Sequence, residues 1–520
     1  MESASDPGTG VPDDAGGRDS GSGRAGELLS RARSGGARLF RAHFGIDARS
    51  LAAFRIGLGG VVLVGTLLRA TNLRAFYSEG GVLPRSVLAD LYPAAESLSV
   101  HALVGSVEAQ AVLFAVAALA AICVIVGYRT RLATVLSLVL VLSVQGRNPL
   151  VLNGGDILLR HLLFWGVLLP LDERWAVDAT RRSGSGRDRV ASLATAGILL
   201  QVLVVYGVNA VLKHRSDVWQ DGTATAYIFH LDQYTVLLGD ALAEVPVLLS
   251  VGGRLWFWLL TGSWLLVVLR GWPRAAMVAA FVGAHLTMAA TMSLDVFPVV
   301  SIVALLPFVP AVVWEAVDGR AASRLEASRP DLGGAAAGGL RLPSRSSPLR
   351  RGWGDVARRY LVPAVAGLAI LVMVGYNAGA VHEGGFGPTD GPDYLDGDPH
   401  WNMFAPNPPQ ATNWNVVTGT LDSGARIDAL RGGSVSPDRP PDEPSAFLSA
   451  RWRKYFEDVR TPGRTDVLGP HLADYICDRW DANHETTLAS ITITHVTDPV
   501  DFDGSRTVHQ RAVGRYACPN

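Results

Sequence analysis

Apolar residues in this chain are gathered into runs of about twenty residues, the length that crosses a lipid bilayer as one helix. The composition, 49% hydrophobic and only 18% charged, differs from that of a soluble domain of 520 residues. The sequence therefore predicts an all-α polytopic membrane helical bundle of about nine transmembrane helices. The predicted spans are residues 50–69, 108–127, 131–146, 155–171, 190–212, 254–271, 274–293, 296–317 and 358–379. The interrupted piece 236–252 is expected to be an interfacial or re-entrant helix.

Arginine is distributed unevenly between alternate loops of this predicted bundle. The N-terminal flank, the loops after the second, fourth and sixth spans, and the stretch 318–357 hold most of the arginines. Positively charged loops stay on the cytoplasmic side, so the N-terminus is predicted inside and the C-terminal region outside. The excess of Arg, Ala and Gly is typical of a GC-rich bacterial genome, which indicates a bacterial cytoplasmic (inner) membrane. A net charge of −1 gives no reason to expect a nucleic-acid partner.

The polar parts of the chain divide into a tail, a linker and an outer domain. Residues 1–45 are predicted to be a disordered cytoplasmic tail. Residues 318–357 are predicted to be a basic cytoplasmic linker that leads into the last transmembrane helix, 358–379. Residues 380–520 predict a small extracytoplasmic α+β domain. In it we expect a hairpin in NWNVVTGTLDSGARIDAL, helices in SAFLSARWRKYFEDV and HLADYICDRW, a strand in TTLASITITHV, and a last strand after the turn DFDGSR.

Two of the three cysteines bear on the compartment that the C-terminal region faces. Cys477 and Cys518 lie in the predicted outer domain, where an oxidising environment would allow them to form a disulfide. Cys123 lies inside an apolar run and is interpreted as inert packing. No cluster of His and Cys has metal-ligand spacing in the outer domain, and no metal is predicted.

Ionisable side chains inside apolar runs are costly and usually face the bundle interior or a cavity. Asp156 and Arg160 are four residues apart and can pair on one helix face, either only to hold the bundle together or as part of a site. His161 points about 100° away from Arg160 and need not share that site. Arg55 either snorkels to the cytoplasmic surface or binds a ligand. His285, deep in the seventh run, is either a hydrogen-bonded structural residue or a functional one.

Lysine is rare here, since Lys213 and Lys454 are the only two in the chain. Lys213 ends an apolar run in the stretch GVNAVLKHRSDVWQDGTA. It is either a snorkelling cation at a helix end or a base, because a partly buried lysine can lose its proton whereas arginine cannot. Lys454, in RWRKYFEDV, is interpreted as an ordinary surface lysine, so rarity alone does not decide between the two.

Several stretches, in order along the chain, resemble the bacterial HTTM (horizontally transferred transmembrane) domain family, which is shared with the vitamin K-dependent gamma-carboxylase of animals. They are ARSLAAFRIGLG, AFYSEGGVLPRSVL, VGYRTRLATVLSLVLVLSVQGRNPLVLNGGDILLR, YGVNAVLKHRSDVWQDGTA, FVGAHLTMAATMSLDVFPVVSIVALLPF and WNMFAPNPP. The likeness covers about residues 46–317, with a weaker tail near 398–430. The resemblance implies an HTTM-type transmembrane domain over 46–317 and a membrane-embedded site for vitamin K or a menaquinone-type quinone.

The resemblance also implies roles for particular residues. Lys213, just before Trp219 and an Asp-Gly turn, matches the lysine that deprotonates the hydroquinone in the carboxylase. His285, in AHLTM, resembles a histidine in an FHL-type stretch of that enzyme. This chain reads Asn153-Gly154-Gly155-Asp156 where the carboxylase has a histidine shortly after an asparagine, and its outer domain is small. These departures argue against glutamate carboxylation itself and leave open a carboxylase/lyase-like or other quinone-dependent modification.

Two functions from different classes follow. The first is an integral-membrane enzyme with a quinone-like lipophilic partner; its catalytic residues would be Lys213, His285 and Asp156, and its substrate-binding residues Asn153, Arg160, Arg55, Trp219 and His161. The second is a non-enzymatic membrane scaffold or maturation factor that binds a secreted peptide or protein client through aromatic residues of the outer domain, Trp401, Phe404 and Trp414. A transporter is less favoured, because no internal repeat is visible.

Overall fold

The computed structural model describes residues 31, 34–181, 186–327, 357–382, 401–440, 446–502 and 507–519. Its main helices are α1 (Ala48–Ala70), α2 (Val107–Val126), α3 (Thr130–Arg147), α4 (Gly154–Leu168), α5 (Leu193–Lys213), α6 (Pro246–Thr261), α7 (Gly271–Thr291), α8 (Phe297–Leu305), α9 (Ala311–Ala327), α10 (Val362–His382), α11 (Ala450–Val459) and α12 (Thr465–Asp481). Shorter α-helices are residues 34–44, Leu73–Tyr77, Arg85–Leu91, Pro93–Leu98, Val177–Thr180, Asp217–Gln220, Ala224–Phe229, Gly239–Ala243 and Leu265–Val268. The strands are β1 (Ile46–Asp47), β2 (Arg189–Val190), β3 (Ala411–Leu421), β4 (Arg426–Asp428), β5 (Leu488–Pro499) and β6 (His509–Ala517).

Six helices in the described part of the chain are long and apolar enough to cross a membrane: α1, α2, α3, α5, α7 and the helical stretch Arg359–Ala378. A seventh span is counted if the pair Phe297–Phe308 and Ala311–Arg320 forms one crossing, although the two parts meet at 93°. The chain is thus a multi-pass helical membrane protein, as predicted. Of the nine expected spans, six or seven are long apolar helices within the described residues. The predicted span 155–171 is the 15-residue helix α4.

Two prolines account for the other departures from the predicted spans. The run 254–271 was expected to be one helix, but α6 begins at Pro246 and ends at Thr261, so it takes up part of the predicted interfacial piece. Proline fits the first turn of a helix, where its missing N–H would have no partner. In the run 296–317, Pro310 separates α8 from α9, because proline disfavours helical geometry in the residue before it.

Several connections between helices lie in contact at one end of the bundle, here called the arginine-rich end. Strand β1 pairs with β2 there. Ser50, in the first turn of α1, donates to the carbonyl of Val309 at 2.8 Å and accepts from the indole of Trp314 at 2.7 Å. Asp318 pairs with Arg49 at 2.7 Å in the same region. The connections before α1, between α4 and α5, and between α8 and α9 therefore lie together.

The opposite end of the bundle, here called the domain end, carries the C-terminal α+β domain. Its antiparallel sheet has the order β4-β3-β5-β6, and the predicted hairpin is confirmed as β3 and β4, whose turn holds Gly424 at φ +83°. The two predicted helices are α11 and α12. The structure joins Cys477 of α12 to Cys518, which follows β6, by a disulfide.

The C-terminal domain and the bundle connections share one apolar core. Phe76 and Leu83, which lie between α1 and α2, belong to the same buried cluster as Trp452 and Ile491 of the domain. The Trp452 indole also donates to Asn72 at 3.1 Å. This domain is therefore packed onto the bundle rather than attached by a linker alone.

Some predicted polar segments differ from the structure or fall outside it. Residues 34–44 of the predicted disordered tail are helical, and α9 extends into the predicted linker as far as Ala327. The expectations for residues 1–30, for most of the linker, for 383–400 and for part of the turn DFDGSR lie outside the described residues.

Candidate functional site

One face of α5 presents three polar side chains at the domain end of the bundle. Tyr206, Asn209 and Lys213 are spaced by three and four residues, so they lie along one side of the helix. Each is less than 5% exposed. Helix α5 begins with a capping box between Ser192 and Thr195, and its apolar residues pack in the main bundle core. This rigid helix fixes the position of the polar face.

The amine of Lys213 is only 1% exposed and has an unusual set of neighbours. Its Nζ donates to the backbone carbonyl of Met403 at 2.8 Å and lies 3.7 Å from the ring centroid of Trp219. Among the described residues no carboxylate lies within ion-pair distance of it. Lys213 therefore does not snorkel into the headgroup region, and its amine contacts Trp219, the tryptophan that follows it in the sequence.

His285 belongs to helix α7 and meets the polar face of α5 at Tyr206. Its Nε2 is 2.9 Å from the hydroxyl of Tyr206, and the aromatic rings of Trp256, Phe281 and Phe297 surround the pair. Tyr206 is seven residues before Lys213, which is about 10 Å along the helix axis. The Nδ1 atom of His285 has no hydrogen-bond partner within the described chain. His285 is thus near the Lys213 region but in a separate aromatic enclosure.

Asp156 belongs to a buried charge cluster that contains two arginines and a second aspartate. It forms ion pairs with Arg69 and, at 3.2 Å, with Arg451; Arg451 also pairs with Asp295 at 2.6 Å. Asn153 caps α4 in a capping box with Asp156 and donates to Asp295 at 3.2 Å. The four charged side chains are each at most 7% exposed.

This cluster corrects the predicted pair of Asp156 with Arg160. The described ion pairs of Asp156 come from α1 and from α11 of the C-terminal domain, not from its own helix. Burial disfavours the charge of Arg451, but the nearby Asp156 and Asp295 outweigh burial and raise the pKa of its guanidinium. Arg451 therefore stays charged and links the C-terminal domain to the bundle.

Arg55 is not part of the site at the domain end. It is fully buried near the arginine-rich end, where its guanidinium donates to the carbonyls of Ile125, Leu171, Arg174 and Trp175 at 2.6–3.3 Å. Both predictions for it, snorkelling to the surface and binding a substrate, are replaced by a role in holding the end of α2 to the connection after α4.

His161 and the aromatic residues of the predicted client surface take part in packing. The ring of His161 lies 5.9 Å from that of Trp401. Trp401 and Trp414 are each 3% exposed, and Phe404 packs against Tyr234 with ring centroids 5.1 Å apart. The expectation that these three aromatic residues form an exposed client surface is therefore wrong.

Gly155 stands where the carboxylase pattern has a histidine, and its surroundings explain why no side chain replaces it. A Cβ atom at this position would lie 2.8 Å from Cα and 2.9 Å from N of Phe297. Helices α4 and α8 approach each other too closely there for any larger residue. The site therefore contains no substitute for that histidine at position 155.

The structure places several residues around the site that were not predicted from the sequence. Asn209 donates to the carbonyl of Trp401 at 2.8 Å, and Tyr206 bonds to His285. Their spacing from Lys213 would have identified both. Arg451 and the carbonyl of Met403 had no comparable signal, since both come from distant parts of the chain.

Comparison with known proteins agrees with the resemblance seen in the sequence. The family model described as the HTTM domain matches residues 44–314, more than half of the 520-residue chain. No curated protein and no solved structure matches the chain significantly. The matched region includes helices α1 to α8 and every residue of the polar face of α5. The chain belongs to the HTTM domain family.

Proposed function

We propose that this protein is an integral-membrane enzyme in which Lys213 acts as a base on a quinone-like lipophilic partner. The observation that carries the proposal is the burial of the Lys213 amine beside a carbonyl and an aromatic ring, with no carboxylate pairing within the described chain. A low-dielectric environment without a counter-ion favours the uncharged amine, which is the form that accepts a proton.

The donors around Lys213 suit a ligand with acceptor oxygens. The amide of Asn209, the amine of Lys213 and the indole N–H of Trp219 all point at carbonyl oxygens in the structure. A quinol would supply an acidic hydroxyl and two reducing electrons. In this arrangement Nζ of Lys213 takes the hydroxyl proton, while Asn209 and Trp219 hold the ring oxygens. The separate aromatic enclosure of Tyr206 and His285 lies about two helical turns from Lys213 along α5 and helps to exclude water from the site.

Substitution of Lys213 tests the proposal. Lys213→Arg and Lys213→Met would be expressed in membranes, and bound lipids would be extracted and searched for quinones by mass spectrometry. We expect wild type to carry a quinone, and its occupancy or redox state to change in both variants, because arginine keeps its proton and methionine has none to exchange.

Lys454→Arg is the matched control, since Lys454 is the other lysine of the chain and pairs with Glu457 at 3.1 Å on a half-exposed surface. It should leave the quinone content unchanged. Folded yield is measured for every variant by size-exclusion chromatography. A wild type without quinone, together with full cellular function of Lys213→Arg, would contradict the base role.

We further propose that the arginine-rich end faces the cytoplasm of a bacterial inner membrane and that the domain end faces outside, with nine passes of the chain. Arginine-rich connections are retained in the cytoplasm, and the alternation of connections between the two bundle ends supports an odd number of passes. Helices α4 and α8 are short but run between the same two ends. Helix α6 stays near the domain end, where Thr261 bonds to His214 at 3.0 Å. The segment after it leads to Arg270, which bonds to His43 at 2.8 Å near the arginine-rich end.

Cysteine accessibility tests this orientation in a Cys123→Ser background. Thr180→Cys, at the arginine-rich end, and Ser423→Cys, in the β3–β4 turn, are both at exposed positions. In intact cells with a permeable outer envelope, we expect a membrane-impermeant maleimide to label position 423 and to label position 180 only after lysis. Labelling in the reverse order would overturn the orientation.

The second candidate function, a non-enzymatic scaffold or maturation factor for a secreted client, keeps no specific observation in its favour. Of the aromatic residues that suggested a client surface, Trp401 and Trp414 are buried and Phe404 packs against Tyr234. The C-terminal domain instead contributes contacts to the Lys213 region.

A further inference from the structure

Residues 401–407, here called the strap, cover the polar face of α5. Three side-chain donors point at three of its backbone carbonyls. Asn209 donates to Trp401 at 2.8 Å, Lys213 to Met403 at 2.8 Å, and the indole of Trp219 to Phe404 at 2.9 Å. All the donors that the proposed function uses are thus bonded to a segment of the chain itself.

The side chains of the strap fill the space beside these donors. The Trp401 indole is 3% exposed and lies in the main bundle core, next to His161. Met403 reaches the start of α4, where a Cβ atom on Gly154 would lie 3.8 Å from its Sδ. A flat aromatic group and several acceptor oxygens therefore occupy one apolar slot with hydrogen-bond donors at its rim.

The backbone of the strap is held in an unfavourable conformation. Trp401 has φ +50° and Phe404 has φ +56°, the left-handed region that residues with a side chain rarely adopt. Such geometry persists only where surrounding contacts impose it, and it is common at segments that move. Pro406 and Asn407 at the end of the strap are exposed.

The rest of the C-terminal domain is anchored without the strap. Arg451 pairs with Asp156 and Asp295, the Trp452 indole bonds to Asn72, and the Tyr455 hydroxyl donates to the carbonyl of Val82 at 2.8 Å. Movement of the strap would leave these contacts in place, so the segment can open while the domain stays docked.

We propose that the strap is a lid that occupies the ligand site, and that it is displaced by a lipophilic molecule with a flat ring and acceptor oxygens. The ligand ring takes the place of the Trp401 indole, and its oxygens replace the carbonyls of Trp401 and Met403. This inference rests on the proposed function, because Lys213 is the group that opening uncovers.

A reversible lock tests the lid. Gly154→Cys and Met403→Cys are combined in a Cys123→Ser, Lys454→Arg background, which leaves Lys213 as the only lysine. A Cβ atom on Gly154 lies 3.9 Å from Met403 Cγ, the position nearest to that of a cysteine sulfur, so a small side-chain shift allows a disulfide. Lys213 is then labelled with an amine reagent and quantified by peptide mass spectrometry, with the disulfide formed and after reduction.

We expect labelling of Lys213 to be at least about tenfold slower in the locked protein, because the reactive population is the open one. Met403→Cys alone in the same background is the control, and reductant should not change its labelling rate. Trp401→Ala, which weakens the closed state, should label at least about tenfold faster than the background protein. Equal labelling of locked and reduced protein would overturn the lid.

A second measurement separates the lid from the proposed function. Protection of Lys213 from labelling by 2-methyl-1,4-naphthoquinone is measured in the Cys123→Ser, Lys454→Arg background protein, where Cys477 and Cys518 are paired and no free thiol can add to the quinone. If the quinone slows labelling of Lys213 there but does not change the labelling rate of the locked form, the result supports both the lid and the ligand class. An intact lock effect without protection would keep the lid and overturn the ligand class together with the quinone partner.

Discussion

Arginine and lysine are used differently at the two ends of the bundle. The guanidinium of Arg55 reaches four backbone carbonyls, one in the last turn of α2 and three in the connection after α4, which its planar set of donors allows. The amine of Lys213 meets one carbonyl and one ring. The first arrangement holds loops in place, whereas the second leaves a compact group that can exchange its proton.

At the same scale, Asp156 is the residue whose loss should cost most stability. Asp156→Asn leaves Arg69 and Arg451 buried with Asp295 as the remaining acidic partner of this cluster. Removing one partner from a buried ion pair typically costs about 3–5 kcal/mol, so we expect a large fall in the thermal midpoint in detergent.

Asp318→Asn provides the comparison for Asp156→Asn, since it removes an ion pair with Arg49 while Asp318 is 61% exposed. Exposed pairs contribute about 0–1 kcal/mol, and this variant should melt close to wild type. If the two variants lowered the thermal midpoint equally, the charge cluster would not be the element that docks the C-terminal domain.

At the scale of helices, the close contact between α4 and α8 depends on Gly155. Gly155→Ala would place a Cβ atom 2.8 Å from the backbone of Phe297, which cannot yield as a flexible side chain would. Overpacking of this kind costs about 1–3 kcal/mol, and we expect a lower thermal midpoint with a shift of α4 against α8.

Gly207→Ala in α5 is the matched control, because nothing lies within 4 Å of a Cβ atom there. Alanine is a better helix former than glycine by up to about 1 kcal/mol, so this variant should be neutral or stabilising. A Gly155→Ala protein as stable as Gly207→Ala would show that the two helices can separate without loss.

The helix bounds also show which helices could be predicted from the sequence and which could not. The runs predicted α1, α2, α3, α5, α7 and the last helix well, since each is long and apolar and bounded by polar loops. The helix predicted at 254–271 begins eight residues earlier, at Pro246. The stretch before residue 254 contains acidic residues and was therefore not predicted to be part of the span. Hydropathy measures composition, whereas the helix start depends on local backbone geometry.

At the scale of the whole molecule, the C-terminal domain and the bundle form one folding unit. Their shared core includes Phe76 and Tyr77 from the bundle connections and Trp452 and Tyr455 from α11. A chain that ends after residue 382 would expose this apolar surface, so we expect it to aggregate in fluorescence-detected size-exclusion chromatography.

A chain without residues 1–33 is the control for this truncation and should remain monodisperse, because this deletion leaves every residue of the shared core in place. A monodisperse chain ending at residue 382 with the wild-type melting temperature would show instead that the two parts fold independently.

The sequence by itself determined the membrane class, the family and most of the secondary structure, because hydrophobic periodicity and run length are local properties. It also singled out Lys213, through its rarity. Only the tertiary structure decided which groups meet Lys213, and it exchanged the expected partner of Asp156 for Arg69 and Arg451. The carbonyl of Met403 lies 190 residues from Lys213 along the chain. Contacts at such separations are set by how the domain docks, which no local pattern encodes.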